Sequence, residues 1–247
     1  MNLRLRLKSL WNLLTKRKPN ILSWRDYLSI ILVPIRYQPL LLPDGTVIEK
    51  QCCDAILDSR EKLAFLELPE DLSGKTFLDI GCAEGFFVIQ AARRGAVFAR
   101  GCDFTAERIK IAKIVAEAWN IEDKVEFSTV RLYDIPPEHA ADIVTCLAVC
   151  HHLHGGNHDT WQIISNPEKY AKAFDCMLQA VSAVAALTNE ITYWEYCFEY
   201  SSDKSLAVDF AKLGRIWEER GIYQRVEFKG LSQSSDTKDR AIYHAYK

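Results

Sequence analysis

The chain has 247 residues, of which 49% are hydrophobic and 26% charged, and its formal net charge is −2. That size and apolar content suit one large α/β domain with an appendage, which excludes a disulfide-stapled mini-protein, and the near-neutral balance excludes a uniformly basic nucleic-acid clamp. The charge is uneven, because Arg4, Arg6, Lys8, Lys16, Arg17 and Lys18 fall in an acid-free opening stretch and leave −8 for the rest.

In chain order, Leu3, Leu7, Leu10, Trp11 and Leu14 recur at helical spacing and predict an amphipathic helix over 3–17. A basic helix of this kind can lie on an anionic membrane surface, dock on nucleic acid, or cover the domain's own core. The stretch lacks the apolar core of about 7 to 15 residues and the small-residue cleavage site of a secretory signal. The apolar run 28–33 is far too short to span a bilayer. A short helix is predicted over 23–32, then a turn at Pro43-Asp44-Gly45 joining two short extended pieces, then a helix over 57–68. Two units are expected: an N-terminal basic extension, 1–56, and a main domain, 57–247.

From residue 76 onward strand and helix patterns alternate. Strands are predicted at 76–80, 97–102, 124–130, 141–148, 182–188, 223–230 and 240–246, with helices at 85–94, 105–119, 167–180 and 203–220. This order predicts an α/β fold: a doubly wound, mostly parallel seven-stranded sheet covered on both faces, its last two strands forming a hairpin across the polar 232–236 loop.

The most specific motif is Phe77-Leu78-Asp79-Ile80-Gly81-Cys82-Ala83-Glu84-Gly85, a buried strand running into a small-residue turn that opens a helix. Such a helix start can hold a carboxylate or a phosphate. A dinucleotide loop wants G-x-G-x-x-G, and the third glycine is absent at that offset, which disfavours NAD and leaves a nicotinamide oxidoreductase as a minor reading. Asp103 ends the next strand, where an acid can accept both ribose hydroxyls. On these residues, together with Gly101-Cys102-Asp103, the chain resembles the class I S-adenosylmethionine-dependent methyltransferases over roughly 60–247. Finer features, Leu42-Pro43-Asp44-Gly45, Gly85-Phe86-Phe87 and Arg93-Arg94-Gly95-Ala96, are similar to the branch related to bacterial tRNA wobble-uridine methyltransferases.

The resemblance implies S-adenosylmethionine as cofactor. It places Gly81, Cys82, Ala83 and Gly85 around the methionine end, with Asp79 orienting the amino group, Asp103 on the ribose, and Phe104, Val130, Arg131 and Leu147 toward the adenine side. Ala83 stands where the family usually has glycine, and no acid occupies the position of Val130.

His139, His151, His152, His154 and His158 crowd into twenty residues around the end of the fourth strand, where open α/β sheets place their chemistry. Three readings are open. A histidine, His152 ahead of His151, can act as general base; His152, His154 and His158 or Asp159 can join Glu190 around a metal; or the imidazoles can simply bond backbone carbonyls. No zinc framework is expected. Glu190, read as ending the fifth strand, is the third catalytic candidate, and Tyr193-Trp194-Glu195-Tyr196-Cys197-Phe198-Glu199-Tyr200 is either a stacking wall for substrate or core packing.

Eight cysteines, at 52, 53, 82, 102, 146, 150, 176 and 197, form no C-x-x-C pair and mostly fall in apolar patterns, so buried thiols in a reducing cytoplasm are expected, with peripheral membrane contact open through 1–18. The expected activity is methyl transfer, favouring an oxygen of a small molecule or glycan, with tRNA as the alternative acceptor and a catalytically silent binding subunit as the alternative class.

Overall fold

The structure is a computed structural model that describes residues 18–33, 35–51, 58–149, 168, 171–199, 209–234 and 238–247. The predicted 3–17 helix, His151, His152, His154, His158, Cys52, Cys53 and Cys150 lie outside the described residues.

Helix α1 (Trp24–Ile31) starts where Ser23 accepts the Asp26 N–H, and it buries Tyr27, Ile30 and Ile31. Two short strands, β1 (Leu40–Leu41) and β2 (Val47–Ile48), pair across the expected turn, where Gly45 takes φ 83°. Helix α2 (Ser59–Phe65) is capped by Asp58. The alternating core follows: β3 (Thr76–Ile80), α3 (Phe86–Arg93), β4 (Phe98–Asp103), α4 (Ala106–Trp119), β5 (Val125–Thr129), β6 (Ala141–Leu147), α5 (Ala171–Ala186), β7 (Thr188–Glu199), α6 (Phe210–Glu219), β8 (Arg225–Ser234) and β9 (Lys238–Tyr246).

The seven-stranded sheet has the order β5-β4-β3-β6-β7-β9-β8. β9 runs antiparallel to both of its neighbours, and the other pairs are parallel. This is the expected doubly wound architecture, closed by the expected hairpin. The order reverses at β3, which carries β4 on one side and β6 on the other, so the crevice of the sheet opens above the carboxyl end of β3. One apolar cluster joins α1, α3 and α4 to one face, and a second joins α5 and α6 to the other. Leu22, Ile30, Leu40 and Leu42 belong to the first cluster, so the described part of the extension shares the core of the sheet.

One strand is displaced from its expected place. Residues 182–186 are the end of α5, and the strand begins at Thr188. The helix buries Phe174, Met177, Val181 and Val184, a spacing of three to four, and the run through Leu187 is apolar because that helix face is inside. The Thr188 hydroxyl donates to Val184 O at 3.0 Å and finishes the helix. The aromatic run then becomes the strand: Tyr193, Trp194 and Tyr196 are buried, Tyr193 on one face and the other two on the opposite face, between β6 and β9, so of the two readings packing holds for these three.

Candidate cofactor and acceptor site

The turn after β3 is pinned to the neighbouring strand. The N–H groups of Gly81 and Cys82 both donate to Cys102 O, at 2.7 and 3.0 Å, and Gly85 N–H closes the loop onto Cys82 O at 2.8 Å. Gly81, Ala83 and Gly85 all sit in the left-handed region, at φ 75°, 48° and 83°. A Cβ on Gly81 would collide with Val149 Cγ2, and one on Gly85 would fall 2.7 Å from Phe127 Cε1. Glycine is therefore required at both ends of the loop, both for its φ and for space. Ala83 is strained by about 1 to 2 kcal/mol in that conformation, and its N–H is held by Asp103 Oδ2 at 3.1 Å.

Two carboxylates frame this loop. Asp79 is 2% exposed; its Oδ1 accepts the Thr145 hydroxyl at 2.8 Å, while its Oδ2 is buried without a partner. Burial pushes the Asp79 carboxyl up to about 7, against the pull of the Thr145 hydrogen bond, and nearby Asp103 raises it further. A lone buried acceptor of this kind calls for a donor, best a cationic one. Asp103 ends β4; its Oδ1 accepts Thr105 N–H at 2.8 Å, and Arg108 Nη1 stands 3.9 Å from its Oδ2.

Around these two acids the structure gathers the other expected cofactor residues. Phe104 is 71% exposed directly after Asp103, Val130 N–H donates to Asp103 O at 3.0 Å, and Arg131 is exposed at the start of a 3-10 turn. Leu147 ends β6, half-buried beside the crevice, and Ala148 beyond it turns left-handed at φ 57°. Cys82 is buried beneath the loop, its sulfur 2.8 Å from where a Gly101 Cβ would stand.

Glu190 is not part of this gathering. It lies near the amino end of β7, on the opposite edge of the sheet, half-exposed, and its carboxylate accepts Lys75 Nζ at 2.6 and 2.7 Å just before β3 begins. The expectation failed because the strand starts six residues later than its apolar run suggests, which turns a strand end into a strand beginning. His139 is likewise at the amino end of β6.

Sequence reasoning also missed four elements that shape the site. Glu84 inside the loop is fully buried, and its carboxylate accepts Tyr37 N–H at 3.2 Å and Gln38 N–H at 3.0 Å. Gln38 Oε1 in turn accepts Phe86 N–H at 2.9 Å, capping the start of α3. The Arg108 guanidinium lies 4.3 Å over the Tyr37 ring and links this strap to Asp103. At the carboxyl end of β7, Glu195 accepts Lys62 Nζ at 2.6 Å and the Ser232 hydroxyl at 2.8 Å, with Arg240 at 3.7 Å. An acid between two small loop residues was a usable signal for Glu84; the long-range partners had none.

Residues 71–222 match the model of a methyltransferase domain, well over half of the chain. The chain belongs to the methyltransferase domain family. Among curated relatives, this chain is 33% identical over 94 residues to ubiquinone biosynthesis O-methyltransferase of Neisseria meningitidis serogroup C, covering 37% of this chain and 39% of that protein. It is also 32% identical over 123 residues to ribosomal protein L11 methyltransferase of Escherichia coli O139:H28, covering 49% of this chain and 38% of the relative. These alignments span about two fifths of the relatives' lengths. The N-terminal domain of EvdMO1, solved with SAH bound, superposes with a TM-score of 0.60 at 15% identity, covering 93% of this chain and 99% of that one. The bifunctional kinase-methyltransferase WbdD superposes at 0.59 and 19% identity, covering 89% of this chain and 45% of that one. At these identities the two solved structures speak for the shared fold.

Proposed function

We propose that this methyltransferase uses S-adenosylmethionine to methylate an oxygen of a small molecule or glycan. The observation that carries the reading is the pairing of Asp79 Oδ2, a buried acceptor without a partner, with the Cβ-excluding loop and Asp103 at the next strand end. S-adenosylmethionine supplies a sulfonium methyl group already activated for transfer. The chain's own part is binding and alignment, which can supply on the order of 7 to 11 kcal/mol of the barrier. Asp79 Oδ2 accepts from the amino group of the methionine moiety, and Asp103 accepts the ribose hydroxyls with the lone pairs left by Ala83 and Thr105 N–H. Phe104, Val130, Arg131 and Leu147 bound the adenine side, while Gly81, Cys82, Ala83 and Gly85 line the methionine side.

His152, or His151 beside it, takes the acceptor hydroxyl's proton in this proposal. Glu190 has no role in it. Oxygen acceptors are favoured by the partial likeness to an O-methyltransferase. The tRNA reading, with the wobble-uridine branch, rests on the resemblance and on the six basic residues of the opening stretch; RNA binding that weakens steeply with salt would support it. The division into a 1–56 extension and a 57–247 catalytic unit, and a cytoplasmic setting, belong to the same proposal.

Calorimetric titration of the purified chain with S-adenosylhomocysteine, S-adenosylmethionine and NAD tests it. Micromolar affinity for the first two and none for NAD is expected, followed by methyl transfer to phenol or sugar hydroxyls in an acceptor screen. No affinity for either adenosyl ligand would make the chain a silent methyltransferase-fold subunit, and a preference for NAD would overturn the cofactor assignment.

A further inference from the structure

Helix α1 is apolar on two sides. Its inner face buries Tyr27, Ile30 and Ile31 against the sheet's first apolar cluster, which already accounts for its packing. Its outer side carries Trp24 and Leu28, continued by Leu32 at the C-cap, at a spacing of four and 62%, 36% and 59% exposed, and Ile21 and Ile35 stand exposed in the segments that flank the helix, at 42% and 39%. A surface helix of a globular domain ordinarily turns polar residues outward, and single exposed apolar residues need no explanation, but three along one helix face with two more exposed at its flanks do.

Charge indicates what the row meets. The one acid of α1, Asp26, is tied into the helix start with Ser23. Arg25 is exposed next to Trp24, and Lys18 Nζ stands 5.8 Å over the Trp24 ring. The sequence leading into Lys18 adds Arg4, Arg6, Lys8, Lys16 and Arg17 without an acid, in a chain whose remainder is acidic. Aliphatic side chains do not stack on bases, and a tryptophan set among leucine, isoleucine and cations matches the boundary between headgroups and acyl chains. With eight residues the helix cannot cross a bilayer, and no described helix is long and apolar enough to do so.

We propose that the outer face of α1, from Ile21 to Ile35, docks the protein on an anionic phospholipid bilayer, lying in the plane of the interface. Ile35 is two residues before Tyr37, whose N–H is held by Glu84 of the cofactor loop, so the docking face and the site are joined by one short, hydrogen-bonded strap.

Flotation of the full chain with phosphatidylglycerol-containing vesicles, and with vesicles of phosphatidylcholine alone, decides this. The wild type is expected to float with the anionic vesicles at least about tenfold better than with the neutral ones, and raised salt is expected to weaken it. The triple variant Trp24→Ser, Leu28→Ser, Leu32→Ser should lose flotation while keeping its circular dichroism and thermal unfolding, since these side chains are exposed. Arg4→Ser with Arg6→Ser and Lys8→Ser should retain the fold and lose the preference for anionic lipid. Three outcomes overturn the proposal: flotation of neither vesicle by the wild type, undiminished flotation of the triple variant, or a concentration-dependent dimer of the wild type that the triple variant abolishes while vesicles have no effect. A triple variant that is markedly destabilised, with no vesicle binding by the wild type, would instead show that the row is covered from within the chain.

Discussion

Two buried acids sit on the same face of the sheet near its carboxyl ends, and they are held in opposite ways. Asp79, on β3, has one oxygen bonded to Thr145 and the other without a partner, and burial lifts its carboxyl to about 7. Glu195, on β7, has Lys62 on one oxygen and Ser232 on the other, with Arg240 close by; burial pushes it up, yet the two cations draw it below the usual carboxylate range. A buried charge with every lone pair used is an anchor, here tying α2 and the closing hairpin to the sheet. A buried carboxyl with an unused acceptor is the one of the two that has capacity for a further donor, the role proposed for it above.

The largest expected effect breaks the anchor. Glu195→Ala leaves Lys62 and Arg240 without their counter-ion and is expected to cost about 3 to 5 kcal/mol in denaturant unfolding, whereas Glu195→Gln combined with Lys62→Met should recover most of that loss. Equal stability of Glu195→Ala and the wild type would remove the anchor role.

Asp79 should behave differently. Its native pKa, about 7, stands above the unfolded value of about 4, so its protonated form stabilises the fold at low pH and that contribution, at most about 4 kcal/mol, is lost as pH rises through 7. The unfolding free energy of the wild type should therefore fall relative to Asp79→Asn between roughly pH 4 and 7. A constant difference across that range would show that the carboxyl titrates normally. Asp79→Asn is expected to weaken S-adenosylhomocysteine binding even where it gains stability, a split that Glu195 variants should not show.

Asp103→Ala sharpens the ligand side further. Loss of charge-assisted hydrogen bonds to ribose should weaken S-adenosylhomocysteine binding by about 1.5 to 3 kcal/mol by calorimetry, and unchanged affinity would withdraw the ribose role. The smallest effect is at Ala83: glycine would relieve its left-handed strain while adding freedom to the unfolded chain, a net gain of about 1 kcal/mol or less in thermal unfolding. A loss of stability there would mean that the methyl group packs usefully inside the loop.

The cofactor end was legible because its determinants are local. Strand, turn and helix start are contiguous from Phe77 to Phe86, the spacing of Gly81, Ala83 and Gly85 reports the backbone conformation, and Asp103 is placed by the length of one βαβ unit. The acceptor end was misread at Glu190 because the end of a helix with one buried face and a buried strand share one apolar pattern between Val181 and Thr192, and periodicity over so few residues does not say where one becomes the other.

The sequence by itself determined the fold class, the strand that carries the loop, and the acids at its ends, since these follow from hydrophobic periodicity and turn chemistry. Only the tertiary structure decided that Glu84 is spent on Tyr37 and Gln38, that Glu195 meets Lys62 across more than a hundred residues, and that one oxygen of Asp79 is buried without a partner. Partners that are distant in the chain and adjacent in space leave no spacing to read, and whether a buried carboxyl is satisfied depends on all of them at once.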